Sequence, residues 1–570
     1  MPRLLNKVLT LCIASVLFYV SCASTRNRQT LIDYNNETSV KYEISVAEQN
    51  LENAPLKAFA KALVLRENTT GFPEVDTLYL KAVQACNKSF GEATTAQRWD
   101  EAIRYFLSLT HAGELVSGWT LERLKMQQQL FWQREGNEVL VQATTTQNNR
   151  SLTTSLSNTV IENALQGTVT VLVDRGMTIK NGVAYSDRLI GSAFFIDKRG
   201  YLLTNYHVIQ SNVDPKYEGY SRVYIRTPDN TSVKIPAKVI GWDAVLDIAL
   251  LKTELEPEFV FKFGSTKDIK LGSRVYAIGS PAGLERTITS GIVSAKNRKL
   301  LSVGSVLQID AAINHGNSGG PLIDEHGNVQ AIVFAGLEQN EGLNFAIPVE
   351  LVVATLPDLF AGGEVSHAWF GNFGHTILPQ DQLQVSHGVV VDYILPFGPS
   401  SFSTMKEGDI ITKINGIEIK SIEDIQDMLF NLSVGTIVKV EGLSIEKQGL
   451  IELQEKTYQP KRWFVQLDGR PELPGKSAYD VDVVSNVMLP LTGMKLELIS
   501  GKSFRITDIL RGSSADELGF AKNDYVELKT AKIDKETNIF HIQMYAKRRK
   551  SGYLDGFLGL YAYLDDPGYF

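Results

Sequence analysis

The sequence predicts a multidomain chain: an α-helical region first, then an all-β barrel or sandwich domain, then smaller α+β modules. Three observations carry this. A chain of 570 residues is too long for a single hydrophobic core and calls for about three to five domains. Early apolar residues recur at i, i+3 and i+4 spacing, as in Leu56, Phe59, Ala62 and Leu63 and again in Trp99, Ala102, Ile103 and Phe106, which is helix periodicity. Later the texture changes to short β-branched runs parted by glycine turns, at Thr168 to Val173, Gly191 to Ile196, Tyr201 to Thr204, Val233 to Ile240, Ile248 to Lys252 and Val275 to Ile278. With 44% hydrophobic and 21% charged residues the composition is that of globular protein. A formal net charge of −7 leaves no broad basic surface and argues against nucleic-acid binding. The cluster Lys547-Arg548-Arg549-Lys550 is short and reads as a solvated face.

Residues 1–21 read as a signal peptide, in which Arg3 and Lys7 precede an apolar stretch, Val8 to Val20, too short for an ordinary membrane span. The stretch closes in Tyr19-Val20-Ser21-Cys22-Ala23-Ser24. This resembles the lipobox of bacterial lipoproteins, which implies cleavage and lipidation at Cys22 and a membrane held by acyl chains. Tyr19 departs from the aliphatic residue of that pattern, and an ordinary secretory cut or an uncleaved anchor are the alternatives. Residues 22–43 are polar and suit a tether. Beyond Cys12 and Cys22 only Cys86 remains, so no disulfide framework is expected. Residues 44–141 form the helical domain. Within it, Ala96 to Phe106 resembles one helix-turn-helix unit of a tetratricopeptide repeat, with a plain helical domain as the equal alternative. Residues 142–158, rich in Thr, Ser, Asn and Gln, read as a linker.

The chemistry is expected in residues 159–360. The run Gly316-Asn317-Ser318-Gly319-Gly320-Pro321-Leu322 sits between apolar strands, Val306 to Ile309 and Val329 to Phe334. A serine hydroxyl is a poor nucleophile at neutral pH and needs a base, together with N–H donors for the oxyanion formed on attack. Glycines on both sides allow a sharp turn that brings N–H groups close to a substrate carbonyl. The run matches the nucleophile loop of trypsin-like serine proteases. His207, directly after the strand ending at Thr204, is the expected base. Asp247, at the mouth of the apolar run Ile248 to Leu251, is the expected orienting carboxylate, because a charge there needs a partner. Asp243 is the rival carboxylate, in a turn-like Gly-Trp-Asp-Ala. His315 is too near Ser318 in sequence to act from behind it. The order His, Asp, Ser is that of the chymotrypsin architecture, and no long helix pattern follows Ser318 as it would follow the nucleophile of an α/β hydrolase.

Eight segments then carry a resemblance to the HtrA/Deg family: Gly191-Ser192-Ala193-Phe194, Thr204 to Val208, Leu246 to Leu250, Ala277 to Pro281, Thr289 to Ser294, Asp310 to Asn314, Gly316 to Gly320 and Asn344 to Pro348. The resemblance implies a chymotrypsin-like double barrel with His207, Asp247 and Ser318 as the catalytic triad and an oxyanion hole at Gly316, Asn317 and Ser318. It also implies a substrate pocket walled by Phe345, Ala346 and Ile347, apolar and without an aspartate to hold Lys or Arg.

Residues 361–457 resemble a circularly permuted PDZ domain, with Trp369-Phe370-Gly371-Asn372 as the peptide-binding loop and Ser421 capping a helix to Leu429. Asn372 departs from the apolar residue usual there. Residues 458–485 read as a linker, and 486–570 as a degenerate PDZ-like domain on the strength of Gly512 to Phe520. The function this resemblance implies is proteolysis of unfolded envelope polypeptides after small or aliphatic residues, with unfolded chains and C-terminal peptides as partners and no metal or organic cofactor. A homotrimer is an assembly it allows. A protease-fold chaperone or scaffold, or a processing protease with one envelope substrate, are the alternative readings.

Overall fold

The computed structural model describes residues 32–145, 158–180, 182–215, 217, 221–267, 269–279, 287–298, 304–313, 316–336, 343–378, 383, 385–446, 457–481, 487–534, 538–548 and 554–570. The leader with Cys12 and Cys22, most of the 142–158 linker and His315 lie outside the described residues.

Six helices open the described chain: α1 Glu37–Gln49, α2 Pro55–Asn68, α3 Pro73–Thr95, α4 Trp99–His111, α5 Leu121–Arg134 and α6 Glu138–Thr145. The first begins inside the expected tether, because the Asn36 side chain accepts the N–H groups of Thr38 and Ser39 and so caps a helix there. The periodic residues form one core, with Phe59, Leu63, Leu78, Ala102 and Leu109 all buried. Cys86 is buried in the same core, and burial pushes its thiol pKa up to about 12.

A short helix, α7 Asn158–Gln166, leads into the β domain. Strands β1 Thr168–Lys180, β2 Val183–Asp197, β3 Tyr201–Thr204, β4 Arg222–Thr227, β5 Asn230–Pro236, β6 Lys238–Asp243 and β7 Ile248–Lys252 form the first sheet, with helix α8 Tyr206–Val213 between β3 and β4. Strands β8 Arg274–Gly279, β9 Thr287–Arg298, β10 Val306–Ile309, β11 Pro321–Ile323, β12 Val329–Gly336 and β13 Asn344–Pro348 form the second. The domain's last helix, α9 Val349–Ala361, leads to β14, Gly363–Glu364, which pairs parallel to β6 and fastens the chain there. The second sheet closes into a barrel in the order β10-β13-β12-β11-β8-β9, whereas the first runs as an eight-stranded path, β14-β6-β7-β3-β2-β1-β4-β5. Apolar residues of both sheets, among them Phe194, Leu203, Ile278 and Ile332, meet in one core with Val352 and Leu356 of α9.

The next sheet, β16 Asn372–Thr376, β17 Val389–Ile394, β18 Ile410–Ile414, β20 Ile437–Glu446 and β21 Thr457–Gln466, is ordered as written, with β19 Ile417–Glu418 beside β18. A flanking pair, β15 Ala368–Trp369 and β22 Asp468–Gly469, lies outside it. Helix α10, Ile422–Phe430, has the capping box expected at Ser421, with Asp424 returning the bond. The start of the expected 458–485 linker is instead strand β21, paired with β20 from Glu446↔Thr457 to Ile437↔Gln466. Its side chains alternate: Trp463 and Val465 enter the core of this sheet, while Phe464 faces the helical region. Pro460, Lys461 and Arg462 mask that alternation in the sequence.

Helices α11 Pro474–Val481 and α12 Met488–Thr492 precede a last sheet, β23 Met494–Ser500, β24 Ser503–Ile509, β25 Tyr525–Ile533, β26 Ile539–Arg548 and β27 Leu554–Tyr563, with α13 Ser514–Glu517 after β24. Among the described residues no helix is long and apolar enough to cross a membrane.

The helical region docks on the edge of the β16–β21 sheet. Ile437 and Phe464 are buried in the helical core. The Ile437 N–H donates to Ser108 Oγ at 3.0 Å, and its carbonyl accepts from His111 Nδ1 at 2.8 Å. Arg462 pairs with Glu67 at 2.6 Å. Ile437→Ala should therefore destabilise the docked unit by about 2–5 kcal/mol and make residues 37–134 more sensitive to limited proteolysis. Unfolding in urea and protease mapping check this, and unchanged behaviour in both would contradict the docking.

Candidate active site

His207 stands in the first turn of α8, which begins as β3 ends. Asp247 lies in the turn between β6 and β7, with φ at +57°. Aspartate tolerates this left-handed geometry better than most residues do, and here it aims the carboxylate at the histidine. Oδ1 accepts the His207 backbone N–H at 2.8 Å, and Oδ2 lies 2.8 Å from His207 Nδ1. Asn205 Nδ2 donates to the Asp247 carbonyl at 2.9 Å. A carboxylate only accepts, so Nδ1 carries the proton and Nε2 is left with a lone pair, the state a general base requires. Burial pulls the imidazole pKa down, but the Asp247 charge and its hydrogen bond outweigh it, and the net shift from 6.5 is upward.

Ser318 sits where β11 is about to begin, with Gly316 at φ +107° and Gly319 at φ +84°. The loop is wedged between the two sheets. Its Ser318 carbonyl accepts the Ser192 N–H at 2.8 Å, and its Gly316 carbonyl accepts Ser192 Oγ at 2.6 Å. A Cβ on Gly319 would stand 2.2 Å from the Ser192 carbonyl oxygen and 2.3 Å from Thr204 Oγ1. On the other side a Cβ on Gly320 would stand 2.1 Å from the Ile278 carbonyl oxygen. Gly319 thus packs against Thr204 and Asn205, the residues that lead into His207. The Ser318 hydroxyl lies 3.4 Å from the Phe334 carbonyl oxygen, at the long edge of hydrogen bonding. The structure brings His207 and Asp247 into contact, whereas the hydrogen bond it gives the serine hydroxyl is the one to Phe334. Asn317 is buried beside Gly279, and its Oδ1 has no partner among the described residues.

Asp243 does not compete for His207. It is fully buried, caps its own turn through the N–H groups of Val245 and Leu246, and binds His367 Nε2 at 2.8 Å. His367 in turn stacks on Phe430 of α10, centroids 5.7 Å apart. Of the expected pocket wall, Ala346 packs inside the closed barrel and Ile347 packs in the core shared with α9. That packing corrects the expectation of a three-residue wall, since both side chains are held among core residues on opposite faces of β13. Phe345, also buried, lies across from Gln308 and Ala335. Trp369, Phe370 and Asn372 of the expected peptide loop are all buried, and Gly371 turns the chain at φ +76°.

Residues 191–332 match the trypsin-like peptidase domain, residues 475–564 the TP0546 family PDZ domain, and residues 38–131 a domain of unknown function. The chain is 35% identical over 261 residues to the probable periplasmic serine endoprotease DegP-like of Pseudomonas savastanoi pv. phaseolicola (strain 1448A / Race 6), a match covering 44% of this chain and 52% of that protein. It is 37% identical over 239 residues to the protein of the same description from Marinomonas sp. (strain MWYL1), covering 40% and 49%. The chain is similar to the HtrA/Deg serine proteases with C-terminal PDZ domains. It spans about half the length of the curated relatives it matches. The solved structure of the HtrA-type protease AlgW with decapeptide is 25% identical, with a TM-score of 0.46 over 55% of this chain and 98% of that one.

In this HtrA/Deg-like site the sequence reasoning missed three supporting residues: Ser192, Thr204 and Phe334. Ser192 holds two carbonyls of the nucleophile loop, and Thr204 Oγ1 donates to the Ser192 carbonyl at 2.7 Å. A buried serine in the strand run Gly191 to Phe194 was the available signal, because a hydroxyl there needs partners.

The raised His207 pKa fixes a pH window. The His207–Asp247 pair adds stability that is fully present below about pH 6.5 and is lost as pH rises through the elevated folded-state value. A proton NMR titration of His207 should give a midpoint above 6.5, falling when Asp247→Asn removes the charge. A wild-type midpoint below 6.5 would contradict this electrostatic reading.

Proposed function

We propose that the chain is a serine endopeptidase of the bacterial cell envelope that cleaves unfolded polypeptides after small or aliphatic residues. The observation that carries this is the His207–Asp247 pair set against the loop bearing Ser318. In this mechanism the Ser318 hydroxyl gives up its long contact with Phe334 and donates to His207 Nε2. Nε2 then takes the hydroxyl proton as Oγ attacks the scissile carbonyl, and Asp247 stabilises the imidazolium. The backbone N–H groups of Gly316 and Ser318, with Asn317 between them, receive the oxyanion. Collapse of the tetrahedral intermediate breaks the C–N bond, and His207 passes its proton to the leaving amine. Water, deprotonated by His207, hydrolyses the acyl-enzyme.

The apolar character of β12 and β13 supports a preference for aliphatic side chains, since a buried lysine or arginine would find no carboxylate among the described residues of these two strands. Residues 368–466 serve as a PDZ module that binds extended peptide by edge-strand pairing, and residues 475–564 as a second PDZ-like module. The helical region is read as tetratricopeptide-like or as a plain spacer. Export to the periplasm is supported by the leader and by the relatives described as periplasmic, and Cys22 is the residue that would carry a lipid anchor. Quality control of envelope proteins, in a homotrimer, is the role this reading assigns. One observation favours a second reading, a protease-fold scaffold whose triad is seldom assembled: the serine hydroxyl here meets Phe334 and not the base.

Digestion of an unfolded protein such as casein separates them. Ser318→Ala should reduce hydrolysis by on the order of 10⁴ or more, Asp247→Asn by roughly 10⁴, and Asp243→Asn far less. Residual digestion by Ser318→Ala within tenfold of wild type would sink the endopeptidase reading.

A further inference from the structure

The outer edge of β16 already holds a strand, and that strand is the chain's own residues 568–570. The Asn372 N–H donates to the Phe570 main-chain oxygen at 3.0 Å, and the Phe570 N–H returns a bond to the Asn372 carbonyl at 2.9 Å. Two residues along, the Gly374 N–H donates to the Gly568 carbonyl at 3.0 Å. This is the antiparallel register of an added edge strand. From the helix side, Gln426 Nε2 of α10 donates to the Pro567 carbonyl at 2.9 Å and lies 3.4 Å from that of Tyr569. Both walls of the groove between β16 and α10 therefore grip the segment.

The side chains complete the fit. Phe570 is buried in the core of the sheet with Phe370, Ile425 and Leu429, and its ring meets Phe370 edge-on at 6.2 Å between centroids. Tyr569 turns the other way and packs on Phe373 at 5.0 Å, with Trp369 and Tyr393 around it. The segment joins β27 directly, only a few residues after Tyr563, so the local concentration of this ligand is high. The seat is also imperfect. Tyr569 Oη and Asn372 Oδ1 are buried without a hydrogen-bond partner among the described residues, which disfavours the closed state relative to a ligand that satisfies or omits them.

We propose that residues 567–570 are a built-in ligand of this PDZ groove, and that an external extended peptide with an aromatic side chain for the Phe570 pocket binds only by displacing them. The proposal rests on reading residues 368–466 as a peptide-binding module. A tethered occupant lowers the apparent affinity of any competitor by the fraction of time the groove is empty.

The test uses the full chain carrying Ser318→Ala, so that the probe is not cleaved, and a fluorescein-labelled synthetic peptide spanning residues 564–570. Deleting residues 567–570 should tighten binding of this probe by at least about tenfold, and Phe570→Ala, which keeps the segment but empties its pocket and so loosens its hold on β16, should do the same. The peptide should also raise the Tm of the deleted chain and leave that of the full chain unchanged. Equal affinity for full and deleted chains, or no binding to a Phe570→Ala chain with native circular dichroism, would overturn the proposal. Neither readout depends on proteolysis. A wild-type chain that digests nothing would sink the endopeptidase reading and leave this comparison standing.

Discussion

The close approach of Gly319 to β2 and β3 is the constraint on which the candidate active site depends. At that position a side chain would overlap the Ser192 carbonyl and the Thr204 hydroxyl, so the nucleophile loop can seat only with glycine there. Once seated, the loop is held from one side by two hydrogen bonds from Ser192, and on the other Gly320 packs closely against the Ile278 carbonyl. The serine is thereby fixed relative to Thr204 and Asn205, and through Asn205 to the turn that carries Asp247. Residues more than a hundred positions apart in sequence reach one place because the two sheets share a single core. The geometry of the candidate site is thus a consequence of barrel packing, and the unusual backbone angle of Asp247 is stabilised by three bonds at that one residue.

The first PDZ-like sheet, β16 to β21, is the structural hub outside the β domain. A sheet edge exposes unpaired N–H and C=O groups and invites pairing, and here both edges are covered from within the chain. The helical region lies along β21, with Ile437 and Phe464 in its core. Residues 568–570 lie along β16. The sheet is joined to the β domain by the buried Asp243–His367 bond and the parallel pairing of β14 with β6. Three parts of the chain therefore meet around residues 368–466. A change at the β16 edge is positioned to be felt by the other two, because they share this one sheet.

Local chemistry was legible in the sequence where a few adjacent residues carry it. The glycines around Ser318 announce a tight turn, the strand before His207 and the apolar run after Asp247 announce where those two side chains are held, and Ser421 with Asp424 announces a helix start. Contacts between distant residues were not legible. Nothing near Ser192 says that it holds a loop whose residues lie 124 positions away. Strand β21 was hidden because Pro460, Lys461 and Arg462 break the alternation that Trp463, Phe464 and Val465 would otherwise show. Ala346 and Ile347 looked like a pocket wall because they are apolar and near the serine in the fold, but strand alternation sends them to two different cores. The pairing of residues 568–570 with β16 comes after a turn-like Asp-Asp-Pro-Gly, and no periodicity marks so short a strand.

The central claim is that Ser318 is an activated nucleophile, and reaction with an organophosphorus fluoride tests it most directly. Such a reagent phosphorylates a serine that has a working base and oxyanion donors, and leaves ordinary serines unmodified. Intact-mass measurement followed by peptide mapping should find one adduct per chain, on Ser318, forming far more slowly when Asp247 is replaced by Asn. An unmodified chain, or an adduct at any other serine, would contradict the account.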